Sequence, residues 1–584
     1  MNTVWSLDVL YKGYQDDAFT CDLKKFSNLI VTIKDYVANL SNQNQEEAVL
    51  AIIHYLEEYD VLSAKLSSYV SLRQSTNTTD SETTALLGKL EELDSNLSKE
   101  RAIMNKYLAK VGNLDEMIAQ NEKLQGYDYM LHRIKDEAKY MLSDDVEEVI
   151  SKLNLSAGSA WSMLQQYLTS TVEVDYNGEK TTLSGIRNLA YSGDSKVRKA
   201  AYEAELASYN KIKDAVAFSL NNIKSQVNTI AELRGFESPL AMTLHRSRMK
   251  KETLDAMLLA MKEYMPKFHA YLRRKGEMLG YNNGLPWYEL FAPMGESNRT
   301  FTTEEAKEYL VSHFSGFADD LADMIKEAFD QEWIDFFPHP GKVGGAFCAN
   351  LPFVKQSRVL TNFDGSLSDV VTLAHELGHA YHGLNIQDHL PLNTDYTMPV
   401  AETASTFNET IIMNAAIAEA NDKEKMALLE SQLQDTTQII CDIYSRYLFE
   451  SAVFEKRKDS FMFPDELEQM MLDAQKEAYG DGLDHTALHP FMWVCKSHYY
   501  SEQLSFYNFP YAFGGLFARG LYAQYQKEGS SFVPKYRSLL KATTINSVED
   551  VALMADIDLT NPEFWRQSLK TISDSIDLFL ELSK

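Results

Sequence analysis

Apolar residues return every third or fourth position through the first third of this chain, and that spacing decides what it can fold into. Between residues 45 and 72, Val49, Ile52, Ile53, Leu56, Tyr59 and Leu62 fall on one face of a helix. The polar break RQSTNTTDSE follows, with Thr79 and Glu82 in S/T-x-x-E capping spacing. Leu86, Leu90, Leu93 and Leu97 then mark the next amphipathic helix. These stripes read as core packing. Turn-formers are scarce, 26 Gly and 14 Pro in 584 residues, against the usual ~7% and ~5%. With 45% hydrophobic and 24% charged residues, the chain reads as a mainly helical globular protein. Disorder, collagen and coiled-coil fibre are excluded.

Two regions break the helical pattern. TVEVDYNGEKTTL alternates and turns at Asn177-Gly178, the strongest short-range hairpin signal. Helices resume from about Ile186 through Met265, and Gly280 to Ser297 reads as an irregular connection. The second non-helical region, 335–366, offers a glycine loop from Gly341 to Gly345 and a β-prone run around Ser357 to Asn362. After Ser368 the chain reads as helical to its end, apart from loops near 388–399 and 480–490. A 66.4 kDa chain can bury over three quarters of its surface, so disulfide staples are unnecessary.

The charge balance, 56 basic against 84 acidic residues and a formal −28, repels phosphate backbones and anionic lipid. Nucleic acid and membrane surfaces are therefore poor partners. The four cysteines, Cys21, Cys348, Cys441 and Cys495, lie far apart with no C-x-x-C pair, which fits a reducing compartment. The first residues, MNTVWSLDVLYKGYQDD, carry acid where a secretory signal carries base and an apolar core. No apolar run approaches the ~18 residues of a membrane helix. The expectation is a cytoplasmic protein.

The stretch SDVVTLAHELGHAYH carries the chemistry. His375-Glu376-Leu377-Gly378-His379 is an H-E-x-x-H motif. On a helix the two imidazoles stand one turn apart and can share one Zn²⁺, and Glu376 is placed to act on water there as a general base. With 13 His in the chain, chance supplies such a motif only about 0.02 times. Leu373, Leu377 and Ala380 give the helix an apolar flank, and Ser366 or Ser368 can cap its start. Gly378, a poor helix former beside a ligand, predicts that another backbone or a substrate passes close by. The plain alternative is a surface helix that happens to carry two His and a Glu, but exposed helices rarely set Gly and His beside an apolar run.

A structural zinc site would recruit cysteines, and none is near. The metzincin extension needs Gly and then His at positions held by His382 and Asn385. A gluzincin remains, with its third ligand a Glu on a later helix. Glu402, in MPVAETASTFNETII, is the best candidate. Pro399 breaks the preceding loop, a helix can begin directly after it, and Ala401, Ala404 and Ser405 allow close packing. Glu409, seven residues on, shares nearly the same face and can orient a ligand histidine. The competing reading of Glu402 is a helix-start acid stabilised by the macrodipole.

HELGHAYH followed by AETASTFNE resembles oligoendopeptidase F, in the thimet-oligopeptidase group of zinc peptidases. WYELFAP near residue 287, the loop GKVGGAFC, and HYYSEQLSFYNFPYAFG from His498 extend the resemblance over most of residues 200–584. It implies a mainly α, two-lobed helical ellipsoid with a deep central cleft, a small β element beside the motif helix and zinc on the cleft floor. Residues 1–190 would form an N-terminal helical region ending in a β-hairpin, and 191–584 the catalytic domain. Carried over by motif, His375, His379 and Glu402 are the ligands of one Zn²⁺ and Glu376 is the base. The resemblance also favours His498, Tyr507 and Tyr511 as substrate or transition-state contacts. Phenol and imidazole donors aimed at the metal could hydrogen-bond an oxyanion, and aromatic core packing is the alternative for any single Tyr. Backbone at Gly344 and Gly345 could approach a peptide in the cleft, and that loop lacks the G-x-x-x-x-G-K-[ST] pattern of a phosphate cradle.

The chemistry expected is metal-assisted hydrolysis of internal bonds in short, unstructured peptides, with folded proteins excluded by the channel the resemblance implies. Three rivals can be set against it. A zinc carboxypeptidase on the same HExGH scaffold would add an Arg for the terminal carboxylate. A helical di-metal oxidase needs Glu-x-x-His on two helices, and Glu376-x-x-His379 is the only such pair in the sequence. The third rival is an inactive helical scaffold that binds partners.

Overall fold

The computed structural model describes residues 2–295 and 299–584, so Glu296 and Ser297, at the end of the predicted irregular connection, lie outside the described residues. The molecule is 71% helical with two small sheets, the mainly α class the sequence predicts. The first stripe lies within the helix Gln45–Thr76, whose start is capped by Asn44 on the amides of Glu46 and Glu47. Val49, Ile52, Ile53 and Tyr59 are buried, and Leu56 and Leu62 pack against them from half-buried positions. The cap of the next helix, Ser81–Ser95, differs from the prediction. Asp80 caps it by accepting from the Glu82 amide at 3.1 Å and the Thr83 hydroxyl at 2.6 Å, while the Thr79 hydroxyl turns back to Asn77 Oδ1. A carboxylate that satisfies two donors displaces a hydroxyl that could satisfy one. Leu97 falls beyond that helix, at the cap of Ser98–Ala109, and is buried all the same.

The N-terminal helices enclose a core of their own, including Phe26, Ile33, Ile52, Leu66, Leu108 and Tyr127. A second core runs from Val172 to Phe579. Strands β1 (Glu173–Tyr176) and β2 (Glu179–Thr182) form the predicted hairpin, with Asn177 at φ 53° and Gly178 at φ 84°. Both central residues of a type I′ turn need positive φ. Val174 of β1 packs into the second core.

The other sheet joins the two cores. Strands β3 (Ile334–Asp335), β4 (Phe347–Leu351) and β5 (Gln356–Leu360) lie in the order β3-β5-β4, with β5 parallel to β3 and antiparallel to β4. Side chains alternate along a strand, so Val359 enters the second core and Leu360 the N-terminal one. This seam lies directly against the helix Leu367–Ile386, which carries the H-E-x-x-H motif.

Candidate metal centre

The motif helix Leu367–Ile386 begins with a capping box. Ser366 accepts from the Asp369 amide, and the Asp369 carboxylate accepts from the Ser366 amide. Leu367, Val370, Leu373, Ala374, Leu377 and Ala380 anchor it in the second core, which leaves His375 and His379 half-buried on one face. Their partner is the ligand helix Thr403–Glu419. Gly378 explains how closely the two approach. A Cβ there would lie 2.5 Å from both Ala404 O and Ser405 Cα, so the predicted passing backbone is that of the ligand helix.

Glu402 does not lie within the first turn of a helix that starts at Pro399. A single turn, Met398–Ala401, ends there, and Glu402 (φ −91°, ψ 10°) is the joint before Thr403. At that break its carboxylate reaches both imidazoles, with Oε2 3.3 Å from His375 Nε2 and 3.4 Å from His379 Nε2. The Ser405 hydroxyl donates to the same oxygen at 2.7 Å. Gly514, on the helix Phe509–Glu528, lets a third backbone close in, since a Cβ there would sit 3.1 Å from Glu402 Cβ. The donor atoms of His375, His379 and Glu402 lie within 4.8 Å of one another. Two imidazole nitrogens and one carboxylate oxygen fit a divalent metal ion and leave a coordination position free, the pattern of a catalytic rather than a structural site.

Glu409 reaches His375 as the spacing predicts, its Oε2 3.3 Å from Nδ1. That contact puts the proton on Nδ1 and frees Nε2 for a metal. Burial pulls the His375 pKa down, but hydrogen bonds with Glu402 and Glu409 outweigh it and hold it at about 10. Glu402 is pushed up by burial, yet its bonds with His375 and His379 keep its carboxyl well below the usual range. A metal ion must therefore displace a proton shared within this cluster. Glu376 moves the other way. It is 6% exposed, and burial pushes its carboxyl up against the attraction of His375 and His379.

Comparison with known proteins now decides the family. Peptidase family M3 matches residues 188–571, and a second family described as oligopeptidase F matches residues 111–173. This chain belongs to peptidase family M3. Among relatives of the M3 chain, oligopeptidase PepF of Bacillus subtilis is 23% identical over 99% of this chain and 87% of its own length. Group B oligopeptidase PepB of Streptococcus agalactiae is 23% identical over 98% and 96%. The fold matches a crystal structure from Chlamydophila abortus with a TM-score of 0.86 at 19% identity, covering 99% and 98% of the two chains. It matches oligoendopeptidase-F from Enterococcus faecium with a TM-score of 0.71 at 18% identity, covering 97% and 98%. The family makes the chain a peptidase of the metallo-oligopeptidase kind. Among the described residues of this M3 peptidase, no helix is long and apolar enough to cross a membrane.

A cleft of about 690 Å³ opens beside the motif helix of the M3 chain, walled by residues that include His375, Glu376, Glu409, Tyr191 and Phe291. Ala346, directly after the glycine loop, lines it too. Gly344 and Gly345 are exposed, Gly345 at φ 79°, and Asn362 Nδ2 holds the loop by donating to Val343 O at 3.0 Å and Gly345 O at 2.8 Å. His498, Tyr507 and Tyr511 form a trio, with His498 4.9 Å from Tyr507 and 5.9 Å from Tyr511 between ring centroids. Tyr511 is 41% exposed and lies one turn before Gly514, so it shares the helix face that meets Glu402. Burial, together with Tyr507, raises its hydroxyl to about 12. No hydrogen bond joins the trio to the three donor residues among the described residues. Their neighbours Tyr499 and Tyr500 are core, each 1% exposed.

Two contributors were not legible in the sequence. Asn350 of β4 donates to His379 O at 3.2 Å and packs where a Cβ on Gly383 would stand, which ties the sheet to the second histidine. Ser405, by sequence a small neighbour that allows close packing, also orients Glu402 through its hydroxyl. The E-x-x-S spacing from Glu402 was the available signal for Ser405. None existed for Asn350.

Proposed function

We propose that this M3 chain is a zinc-dependent oligoendopeptidase that hydrolyses internal bonds of short, unstructured peptides. The observation that carries the reading is the convergence of His375, His379 and Glu402 on one point, with Glu376 buried beside them at the head of the cleft. His375 Nε2, His379 Nε2 and Glu402 would hold the ion, and zinc bound there supplies a Lewis acid that polarises the scissile carbonyl and acidifies water. Glu376 takes the proton of the attacking water and delivers it to the leaving amine. Its raised pKa suits a group that must both accept and return a proton. Glu409 keeps the His375 proton on Nδ1, so that Nε2 stays a donor.

In this reading the trio His498, Tyr507 and Tyr511 donates hydrogen bonds to the substrate or to the developing oxyanion. The main chain at Gly344 and Gly345, free of side chains, runs beside the bound peptide. The net charge of −28 and the four unpaired cysteines support work in the cytoplasm, away from nucleic acid and membranes.

Metal analysis of the purified protein together with mass spectrometry of a digested peptide mixture tests the proposal. One zinc per chain and cuts inside peptides blocked at both ends are expected. Cleavage only of peptides with a free C-terminus would assign the chain as a zinc carboxypeptidase instead.

A further inference from the structure

Arg519 is a buried charge that the metal centre does not use. It lies on the helix Phe509–Glu528 and is 7% exposed, and among the described residues its guanidinium has no hydrogen-bond or ion-pair partner. Burial pulls its pKa down, and the carboxylates of Glu409 and Asp435 pull it back up from the side of the metal cleft, which both of them line. Buried charges are ordinarily paired. This one faces a second cavity instead, about 280 Å³ in volume, walled by the helices Thr403–Glu419, Asp422–Thr437, Phe509–Glu528 and Pro562–Leu582 and open to solvent at Gln526 and Asp574.

The cavity wall sorts into spent and free donors. Thr410, Thr436 and Thr571 give their hydroxyl protons to main-chain carbonyls of their own helices, to Thr406 O at 2.7 Å, Gln432 O at 2.9 Å and Ser568 O at 2.7 Å. The side-chain amides of Asn414, Gln432 and Gln526 and the Tyr522 hydroxyl have no hydrogen-bond partner among the described residues. One acid stands at the wall, Asp574, and Lys570 holds both its oxygens at 2.7 and 3.0 Å. The result is a guanidinium with no direct hydrogen-bond or ion-pair partner, beside side-chain N–H and O–H groups that no protein acceptor engages among the described residues. The space exceeds the ~30 Å³ share of a single water several-fold.

We propose that this cavity binds a small monovalent anion of chloride size, held by the Arg519 guanidinium and the amides of Asn414 and Gln432. Charge sets the valence. One guanidinium balances one negative charge, and Asp574, Glu409 and Asp435 repel a second. The site is coupled to the metal centre through the ligand helix, which carries Glu402 at its start, Glu409 toward His375, and Thr410 and Asn414 toward the anion. An anion held between Asn414 and Arg519 clamps the ligand helix to the helix Phe509–Glu528, the two elements that meet at Glu402. Occupancy should therefore raise metal retention and turnover together.

Crystals of the metal-loaded protein soaked in bromide supply a readout independent of activity. An anomalous peak is expected beside Arg519, between Asn414 and Gln432. It should vanish in Arg519→Met and weaken in Asn414→Leu, the second variant guarding against a failure of Arg519→Met to fold. In solution, replacing gluconate by chloride at constant ionic strength should raise kcat/KM by roughly five-fold, with saturation, and Asn414→Leu should lose that response. A cavity holding only water after the soak, or a bromide peak unchanged in Arg519→Met, would overturn the site. A rate indifferent to chloride with bromide in place would overturn the coupling. Hydrolysis enters only the solution arm, so an inactive protein that still binds bromide separates this inference from the peptidase reading.

Discussion

Adding one methyl group at residue 378 tests whether helix spacing sets the geometry of the metal centre. A Cβ there would stand 2.5 Å from Ala404 O and Ser405 Cα and 2.8 Å from Ala404 C. All three are backbone atoms, so no change of rotamer relieves the contact. Opening the 2.5 Å approach to an ordinary 3.4 Å moves the motif helix off the ligand helix by about 0.9 Å. That shift draws Glu402 away from His375 and His379. Stability is a poor reporter of the change, because Ala gains about 1 kcal/mol of helix propensity over Gly while overpacking costs about 1–3 kcal/mol. The net loss is then at most ~2 kcal/mol, a Tm shift of a few degrees. Function is more exposed, since a ~1 Å misplacement of reacting groups costs on the order of 10²-fold in rate. Gly378→Ala should therefore fold, hold metal more weakly in a chelator competition, and lose about two orders of magnitude in kcat/KM on a quenched peptide. A variant with a raised Tm and wild-type metal retention and rate would refute the reasoning.

Glu376→Gln should keep a full complement of metal and lose a factor of roughly 10² to 10⁴ in kcat; more than a few per cent of residual activity would remove Glu376 as the base. Glu409→Gln should weaken metal binding about ten-fold or more, because the amide cannot hold the His375 proton as a carboxylate does, and unchanged affinity in chelator competition would detach Glu409 from the centre. Tyr507→Phe leaves the ring packed against His498, so a role in oxyanion binding shows as a ~10² to 10³ fall in both kcat and kcat/KM with little change in KM or Tm. A wild-type kcat in that variant would return Tyr507 to plain packing.

What could be read from the sequence divides by the distance over which each signal acts. The Asn177-Gly178 hairpin, the stripe from Val49 to Leu62 and the two motif histidines depend on residues within a few positions of one another, and all appear where the spacing puts them. Glu409 is 34 residues from His375, yet it too was legible, because it lies seven residues after Glu402, two turns into the helix that Glu402 caps. Asn350, 29 residues from His379, was not, since nothing local tells a strand residue that it will lie under Gly383. The same limit hides Arg519, whose lack of a partner is a fact about four helices and not about its neighbours in sequence. Glu402 stands between these cases. Its identity was legible, and its backbone break was not.

Glycine gives the physical reason for that break. Gly378 admits the ligand helix to the motif helix, and Gly514 admits the helix Phe509–Glu528 to Glu402 itself. With backbone on both sides, the chain at 402 has to satisfy two close packings at once. A continuous helix from Met398 would have to project the carboxylate along a direction set by helix geometry alone. The break at φ −91°, ψ 10° removes that constraint, and Oε2 then meets both imidazoles within 3.4 Å. A sequence displays the glycines, but which backbone each one admits is known only when the helices are packed, so the direction of the third donor is a tertiary property even where its identity is a local one.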